Sequence, residues 1–448
     1  MGKSYRFLLS AMSAMGHINV TVGFGDLLKS RGHHVIFAQN EKFRNIAEEH
    51  GFEFVPFDEN IMGEDDAGRF FKWVLENSHY FGANWIERVK NMTEEDAKIF
   101  ASMMEGNKKI DKALDKILET IGPIDCVVYD ILAVLPCFVR RKDLINIPLL
   151  SSNPITIYPS GPNHGGGFSL INSNPAEWTE YAQGIGRMWS GGKKMRREWL
   201  ASEGMESIAD ELDNKHFIPR PDYFGFYHYP EDLDYTELGE HEPGWIRIDS
   251  CVREDDPSTK FEVPEVLKDK PGKLIYFSLG SLASCDHKAM RRILHILAKS
   301  PHRFIVSTGH FGDKLELADN MWGEPYVDQI KILQAVDMAI IHGGNNSFVE
   351  ALYYARPIIV IPYFFDQLDN AQRIEDKGLG RRVDLWNTSE SELLKIIEDT
   401  LTNTEVHEKI RKISENMRSS TSREKAVKMI EDFIEERTKT AKKKNGHN

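Results

Sequence analysis

Residues 340–370 read IIHGGNNSFVEALYYARPIIVIPYFFDQLDN. An apolar run breaks at His342 into glycine, asparagine and serine, resumes with helical spacing, and gives way to a second apolar run that ends on Asp366 and Gln367. A glycine-rich turn feeding a helix leaves backbone N–H groups without intrahelical partners and presents the positive end of the helix, which together attract an anion. In HGGNNS the glycines, Gly344 among them, let a phosphate approach the backbone, while His342, Asn346 and Ser347 add side-chain donors, so a diphosphate suits the site. Glu350 follows one turn later, where a carboxylate beside a phosphate site commonly accepts from ribose hydroxyls. The same residue types also cap helices, so the motif by itself leaves a structural reading open. The first half offers different chemistry. His17 follows an apolar run, RFLLSA, and Asp130 ends another, IDCVVYD. A histidine titrates near neutrality and suits proton abstraction, and a carboxylate beside it can orient the imidazole and balance its charge. Each alone reads as a turn or cap residue; their joint placement at strand ends makes the pair a candidate.

These residues need a scaffold that brings strand ends together. The first fifty residues alternate as strand (RFLLSA), loop, helix (INVTVGFGDLLKSRG) and strand (HHVIFAQ), a β-α-β unit. Further strands are predicted in HGFEFVPF, IDCVVYDILA and IPLLSSN. Residues 61–120 have helical spacing, and the pattern loosens over 158–215, where SGPNHGGGFS is a loop. A second cycle starts near 272 with KLIYFSLGS, whose SLGS at 278–281 is another glycine turn, and runs through RFIVSTG, DMAIIHGG and RPIIVIPYF with helices between. Strand–helix alternation of this kind is what a doubly wound parallel sheet requires, and the ligands of such a sheet sit at the carboxyl ends of its strands. The expected organisation is α/β, with two Rossmann-like doubly wound domains facing a cleft. Residues 1–252 form the first domain, the acidic, proline-containing segment 253–265 a linker, 266–428 the second domain, and 429–448 a closing helix and basic tail.

Length and composition agree. A chain of 448 residues exceeds what one hydrophobic core usually supports, and 41% apolar with 28% charged residues is ordinary for a folded protein. A net charge of -13 argues against nucleic acid as the main partner. Cys126, Cys137, Cys251 and Cys285 are scattered and form no metal-ligand or disulfide pattern, which fits a reducing compartment. The start MGKSYRFLLSAMSAMGHINV is read as a first strand rather than a signal peptide, Arg6 stands where a myristoylation signal needs Ser or Thr, and no apolar run is long enough to cross a membrane. The expectation is a cytoplasmic protein. The acidic pairs at 65–66 and 255–256 and the basic run at 442–444 read as solvated charge, and no metal site is expected.

The stretch from PYVDQIKIL through HGGNNSFVEALYYARPIIVIPYFFDQLDNAQRIEDKGLG resembles the signature block of the family 1 UDP-glycosyltransferases, which glycosylate small lipophilic molecules from a UDP-sugar. The first half agrees more loosely, through GH after the first strand and Asp130 after a later one. The resemblance implies the two-domain GT-B fold. It further implies diphosphate ligands at His342, Gly344, Asn346 and Ser347, with Ser281 as another, and a ribose ligand at Glu350. Asp366 and Gln367 would be ligands of the sugar hydroxyls, and Tyr326, Val327 and Gln329 would lie around the base, with Tyr326 stacking on uracil. Asp328, where proline is usual, and Asn345, where plant enzymes carry Trp, depart from the pattern. His17 with Asp130 would be the catalytic dyad of an inverting, metal-independent transfer. The expected donor is UDP-glucose, since relatives that prefer galactose often carry His at the place of Gln367; the sugar nucleotide is then a substrate, and no cofactor is expected.

The acceptor is expected to be a small hydrophobic molecule, phenolic or xenobiotic as in detoxification, bound by the first half. Aromatics cluster there at Phe70, Phe71, Trp73, Tyr80, Phe81 and Trp85 and again at Phe168, Trp178, Trp189 and Trp199, although a helical core needs such residues too. Two other readings stay open: an enzyme like the UDP-N-acetylglucosamine epimerases, whose fold is similar, and a UDP-sugar-binding module without catalysis.

Overall fold

The computed structural model describes residues 3–63, 85–93, 103–213, 221–253, 258–310 and 312–445. The aromatic residues between 70 and 81 and the acidic pairs at 65–66 and 255–256 lie outside them.

The first sheet has seven strands, Arg6–Ala11 (β1), His34–Gln39 (β2), Glu53–Pro56 (β3), Cys126–Asp130 (β4), Ile145–Leu150 (β5), Gly225–His228 (β6) and Trp245–Ile248 (β7), in the order β3-β2-β1-β4-β5-β6-β7. The second has six, Leu274–Ser278 (β8), Arg303–Ser307 (β9), Met321–Glu324 (β10), Met338–Ile341 (β11), Ile358–Val360 (β12) and Gly380–Arg382 (β13), in the order β10-β9-β8-β11-β12-β13. Every pairing is parallel. Parallel strands need helical crossovers, which cover both faces and bury both sets of side chains. The central strands therefore carry buried apolar runs: Phe7, Leu8 and Leu9 of β1 and Ile358, Ile359 and Val360 of β12 are fully buried. Each such side chain contributes about 1.5–3 kcal/mol of burial free energy. The strands that the sequence pattern does not announce, β6, β7, β10 and β13, have only three or four residues each, too few for a period to develop.

Strand order sets where a ligand can sit. In the first sheet the winding reverses between β1 and β4, and in the second between β8 and β11. At such a switch point the loops leaving two adjacent strands turn to opposite faces and open a crevice. Ala11 pairs with Asp130 at the first reversal and Ile341 with Ser278 at the second. The loop to His17 and the two glycine turns thus all leave from switch points. The closing helix, Ser422–Asn445, returns to the first half, where Ala426, Val427, Ile430 and Ile434 join the cluster of Phe7, Leu28 and Val35. Glu431 on it accepts from Arg31 Nη2 at 2.7 Å and pairs with His33 Nε2 at 2.9 Å.

Candidate active site in the cleft

His17 stands in the first turn of the helix Met15–Ser30, which starts directly after β1. Its Nδ1 is 2.9 Å from Asp130 Oδ2 and 2.9 Å from Ser151 Oγ. A carboxylate only accepts, so Nδ1 carries the proton and Nε2 keeps its lone pair. Asp130 is fully buried at the end of β4, whereas the His17 side chain retains 19% exposure. Burial alone would pull the imidazole below its ordinary pKa; the charge and hydrogen bond of Asp130, joined by the charge of Asp366, outweigh it and raise the value.

In the second half, the imidazole of His342 is wedged between two glycines. A Cβ at Gly280 would come within 2.6 Å of its ring, and one at Gly344 within 2.5 Å of Nε2. Glycine is required at both places by this close approach. Burial depresses His342 to about 4, so at neutral pH it is an uncharged donor or acceptor. Asn346 and Ser347 open the helix Asn345–Tyr353, where no carbonyl four residues earlier is available to their N–H groups. Their side chains are already engaged: Asn346 Nδ2 donates to Glu350 Oε1 at 3.0 Å, and Gln329 Nε2 donates to Ser347 Oγ at 3.1 Å. Glu350 is buried, accepts from Gln329 as well, and lies 3.6 Å from the Arg253 guanidinium. Tyr326 is 57% exposed, available as a flat platform, and Val327 is partly buried. Asp328 caps the helix Gln329–Ala335 by accepting from Lys331 N, a role that proline could not fill. Ser281 sits in the short helix Gly280–Ala283 after β8.

The two breaks in the opening stretch do leave adjacent strands, since β11 pairs with β12. After β12, Phe365 adopts φ 48° and ψ -135°, unusual for a residue with a Cβ and costing about 1–3 kcal/mol. The side chain of Gln367 holds this turn, its Oε1 accepting from Tyr363 N at 2.9 Å and Phe364 N at 3.3 Å. Gln367 therefore has only its NH₂ for a ligand. Asp366 takes one hydrogen bond, from Asn345 N at 3.2 Å, and burial raises its carboxyl pKa, with His164 and His17 pulling the other way.

A buried polar seam joins the halves. Asn345 Nδ2 donates to Ser151 O at 2.9 Å, Asn153 Nδ2 donates to Asn370 Oδ1 at 2.7 Å, and Asn370 Nδ2 donates to Gly343 O at 2.8 Å. Asn345 thus connects the segment beside His17 to Asp366, the work it does here in place of an indole. Asp369 accepts from Gly165 N at 2.7 Å and Gly167 N at 2.8 Å, fastening the 160–169 loop to the helix Asp366–Asp376. Sequence reasoning missed Ser151, Arg253, His164, Asp369 and Asn370. Ser151 carried the usable signal, a polar break after the apolar run of β5. Of the aromatic candidates for the acceptor that lie among the described residues, Trp85, Phe168 and Trp199 are core residues, and Trp178 and Trp189 pack against the core, so these five have a structural role. All four cysteines are buried and free. Among the described residues no group of three His, Cys, Asp or Glu side chains could hold a metal ion, and no helix is long and apolar enough to cross a membrane.

Comparison with known proteins matches residues 251–442 to the family described as UDP-glucoronosyl and UDP-glucosyl transferase. The chain is 22% identical to NDP-glycosyltransferase YjiC of Bacillus subtilis over 96% of its own length and 98% of that protein. It is 28% identical to the uncharacterized UDP-glucosyltransferase YojK of the same organism, over 38% of this chain and 42% of that one. With a sterol 3-beta-glucosyltransferase of Saccharomyces cerevisiae it shares 23% identity over 84% of this chain, which spans 31% of the yeast protein. Among solved structures, the glycotransferase of kitacinnamycin superposes with a TM-score of 0.66 at 17% identity, over 96% of this chain and 99% of that one. Os79 from O. sativa, in complex with U2F and trichothecene, gives 0.65 at 17% identity, over 96% and 100%. The shared fold is GT-B, two Rossmann-like domains across a cleft.

Proposed function

We propose that the chain, a glycosyltransferase like the family 1 UDP-glycosyltransferases it matches, transfers glucose from UDP-glucose to a hydroxyl of a small lipophilic acceptor, with inversion. The observation that carries this reading is the 2.9 Å bond between His17 and Asp130, in a site that hydrogen bonds through Ser151 and Asn345 connect to Asp366.

The acceptor hydroxyl gives its proton to His17 Nε2 as its oxygen attacks the anomeric carbon. Asp130 holds the imidazole by Nδ1 and balances the imidazolium. The bond from the anomeric carbon to the diphosphate oxygen breaks, its electron pair leaving with UDP, and a single displacement inverts the carbon. The departing charge is met by the first turn of the Asn345–Tyr353 helix and by the side chains of Asn346 and Ser347. His342, neutral at physiological pH, supports this as a hydrogen-bonding group rather than a cation. Ser281 is read as a further phosphate ligand, Glu350 as the ribose ligand, Tyr326, Val327 and Gln329 as the surroundings of the base, and Asp366 with the Gln367 amide as sugar ligands. The reading uses no metal and no cofactor. A role in detoxification and a cytoplasmic location, in keeping with four free thiols, belong to the same proposal.

The test is UDP release from UDP-glucose, UDP-galactose and UDP-N-acetylglucosamine, with and without a phenolic acceptor. Acceptor-dependent release, most efficient from UDP-glucose, is expected. A higher efficiency with either other donor would overturn the glucose assignment, and no acceptor-dependent release from any donor would overturn the transferase mechanism.

A further inference from the structure

The 160–169 loop belongs to the first half by sequence but is built against the second. Gly165 and Gly167 have φ of +84° and +56°, a backbone conformation that residues with a side chain rarely adopt, and each lies against the helix Asp366–Asp376 or the turn before it. A Cβ on Gly165 would lie 3.2 Å from Phe365 Cα, and one on Gly167 would lie 2.7 Å from Leu368 Cβ. Asp369 ties both N–H groups, and Trp85 Nε1 donates to Gly165 O at 3.1 Å from the other side. A loop fixed this firmly determines the position of the residue just before its glycines, His164.

The His164 ring stacks on Phe365 with centroids 6.5 Å apart and planes 19° from parallel, and Phe365 is the strained residue next to Asp366. Its Nε2 is buried and has no hydrogen-bond partner among the described residues. Burial lowers the imidazole pKa and Asp366 offsets only part of this, so His164 is a neutral group, able to donate or accept but not to pair as a cation. An unpartnered polar nitrogen in a buried place costs free energy unless something binds it. What binds beside Asp366, on the transferase reading above, is the transferred hexose.

We propose that His164 is a ligand of the donor sugar, hydrogen-bonding one of its hydroxyls beside Asp366. The first half then contributes to donor recognition through a loop clamped to the second. This assignment rests on the transferase reading and sharpens it, because a hydroxyl read by both Asp366 and His164 is discriminated from its deoxy and epimeric forms.

The experiment compares the unmodified enzyme with His164→Phe, which keeps the stack on Phe365 but lacks the nitrogens, and His164→Asn, which restores a polar group. UDP affinity is measured by calorimetry, and kcat/KM with UDP-glucose and its 3-, 4- and 6-deoxy analogues. Loss of one neutral hydrogen bond predicts a drop of about three- to tenfold in kcat/KM for UDP-glucose in the Phe variant, with UDP affinity unchanged and partial recovery in the Asn variant. One deoxy analogue should be used equally well by the Phe variant and the unmodified enzyme. Equal weakening of UDP and UDP-glucose, a loss confined to acceptor KM, or unaltered discrimination among the deoxy donors would each overturn the assignment. If the unmodified enzyme turns over and the Phe variant matches it on every donor, His164 alone is discharged. If the unmodified enzyme releases UDP from no UDP-hexose, the transferase reading falls with it.

Discussion

The dyad and the donor face meet the same cleft but are prepared for it in different ways. His17 and Asp130, 113 positions apart, are already in hydrogen-bond contact, with Nε2 of the histidine left for a substrate. The donor face is contiguous in the chain, yet its polar groups are spent on one another: Gln329 on Ser347 and Glu350, Asn346 on Glu350, Gln367 on its own turn. A substrate reaching the dyad gains an interaction, whereas a nucleotide on the donor face has to exchange existing ones. Substitutions in the first region should therefore change rate with little effect on stability or donor binding, and those in the second should change both.

The largest effect expected is on the dyad. His17→Ala should lower turnover on an alcohol acceptor by about 10²–10⁴, the usual contribution of a positioned general base, and leave UDP-sugar affinity nearly unchanged. On an aromatic thiol, already ionised, the loss should shrink. Asp130→Asn should slow transfer less and also move the pH profile. Asp130 helps to raise the His17 pKa, and the base form exists above that pKa. The acid limb of kcat/KM should thus lie above the ordinary imidazole value in the unmodified enzyme and shift to lower pH in the variant. An equal, small loss on alcohol and thiol, or an acid limb that stays in place, would mean that His17 is only a turn residue.

A smaller effect, of a different kind, is expected at Glu350. Its carboxylate faces Arg253, Gln329 and Asn346, so Glu350→Ala leaves three polar groups in a buried place without their partner. Losing a hydrogen bond to a charged group costs roughly 1.5–3 kcal/mol, which weakens UDP by about tenfold or more, and the melting temperature should fall as well. Calorimetric titration of UDP into the folded variant decides: an unchanged affinity would remove Glu350 from the nucleotide site and weaken the contrast between the two regions.

How much of this could be read from residues alone follows the same divide. The donor motif was legible because turn, helix and second strand fall within thirty residues and the glycines mark the breaks. The dyad was legible because β4 ends on Asp130 after an apolar run and a Gly-His pair follows the apolar run of β1 after a short loop. The seam and the 160–169 loop were not, because Asp369 and Gly165 are 204 positions apart and their contact is a carboxylate on backbone N–H groups, which leaves no periodic trace. Nor does sequence show that Gln367 spends its carbonyl on the backbone, since that depends on the strained turn at Phe365.

The smallest effect tests what fastens the two regions to each other. Burial raises the Asp369 carboxyl to about 7, even though the N–H groups of Gly165 and Gly167 and the charge of Arg382 favour the ionised form. In the unfolded chain the same group titrates near the ordinary value of about 3.9. The folded protein therefore binds this proton more tightly than the unfolded one, so the associated stability is fully present below about pH 3.9 and is lost as pH rises through about 7. Asp369→Asn removes that titration but keeps one acceptor oxygen for the loop. The variant should be the less favoured of the two at pH 5, where one N–H loses its acceptor and the native carboxyl is largely protonated. It should gain on the unmodified protein by pH 8, where only the latter carries a buried charge. Scanning calorimetry of both proteins at the two pH values measures the difference. A gap that is constant, or that moves the other way, would show that the clamp holds a carboxylate throughout and that the N–H groups of the loop, rather than burial, set its charge.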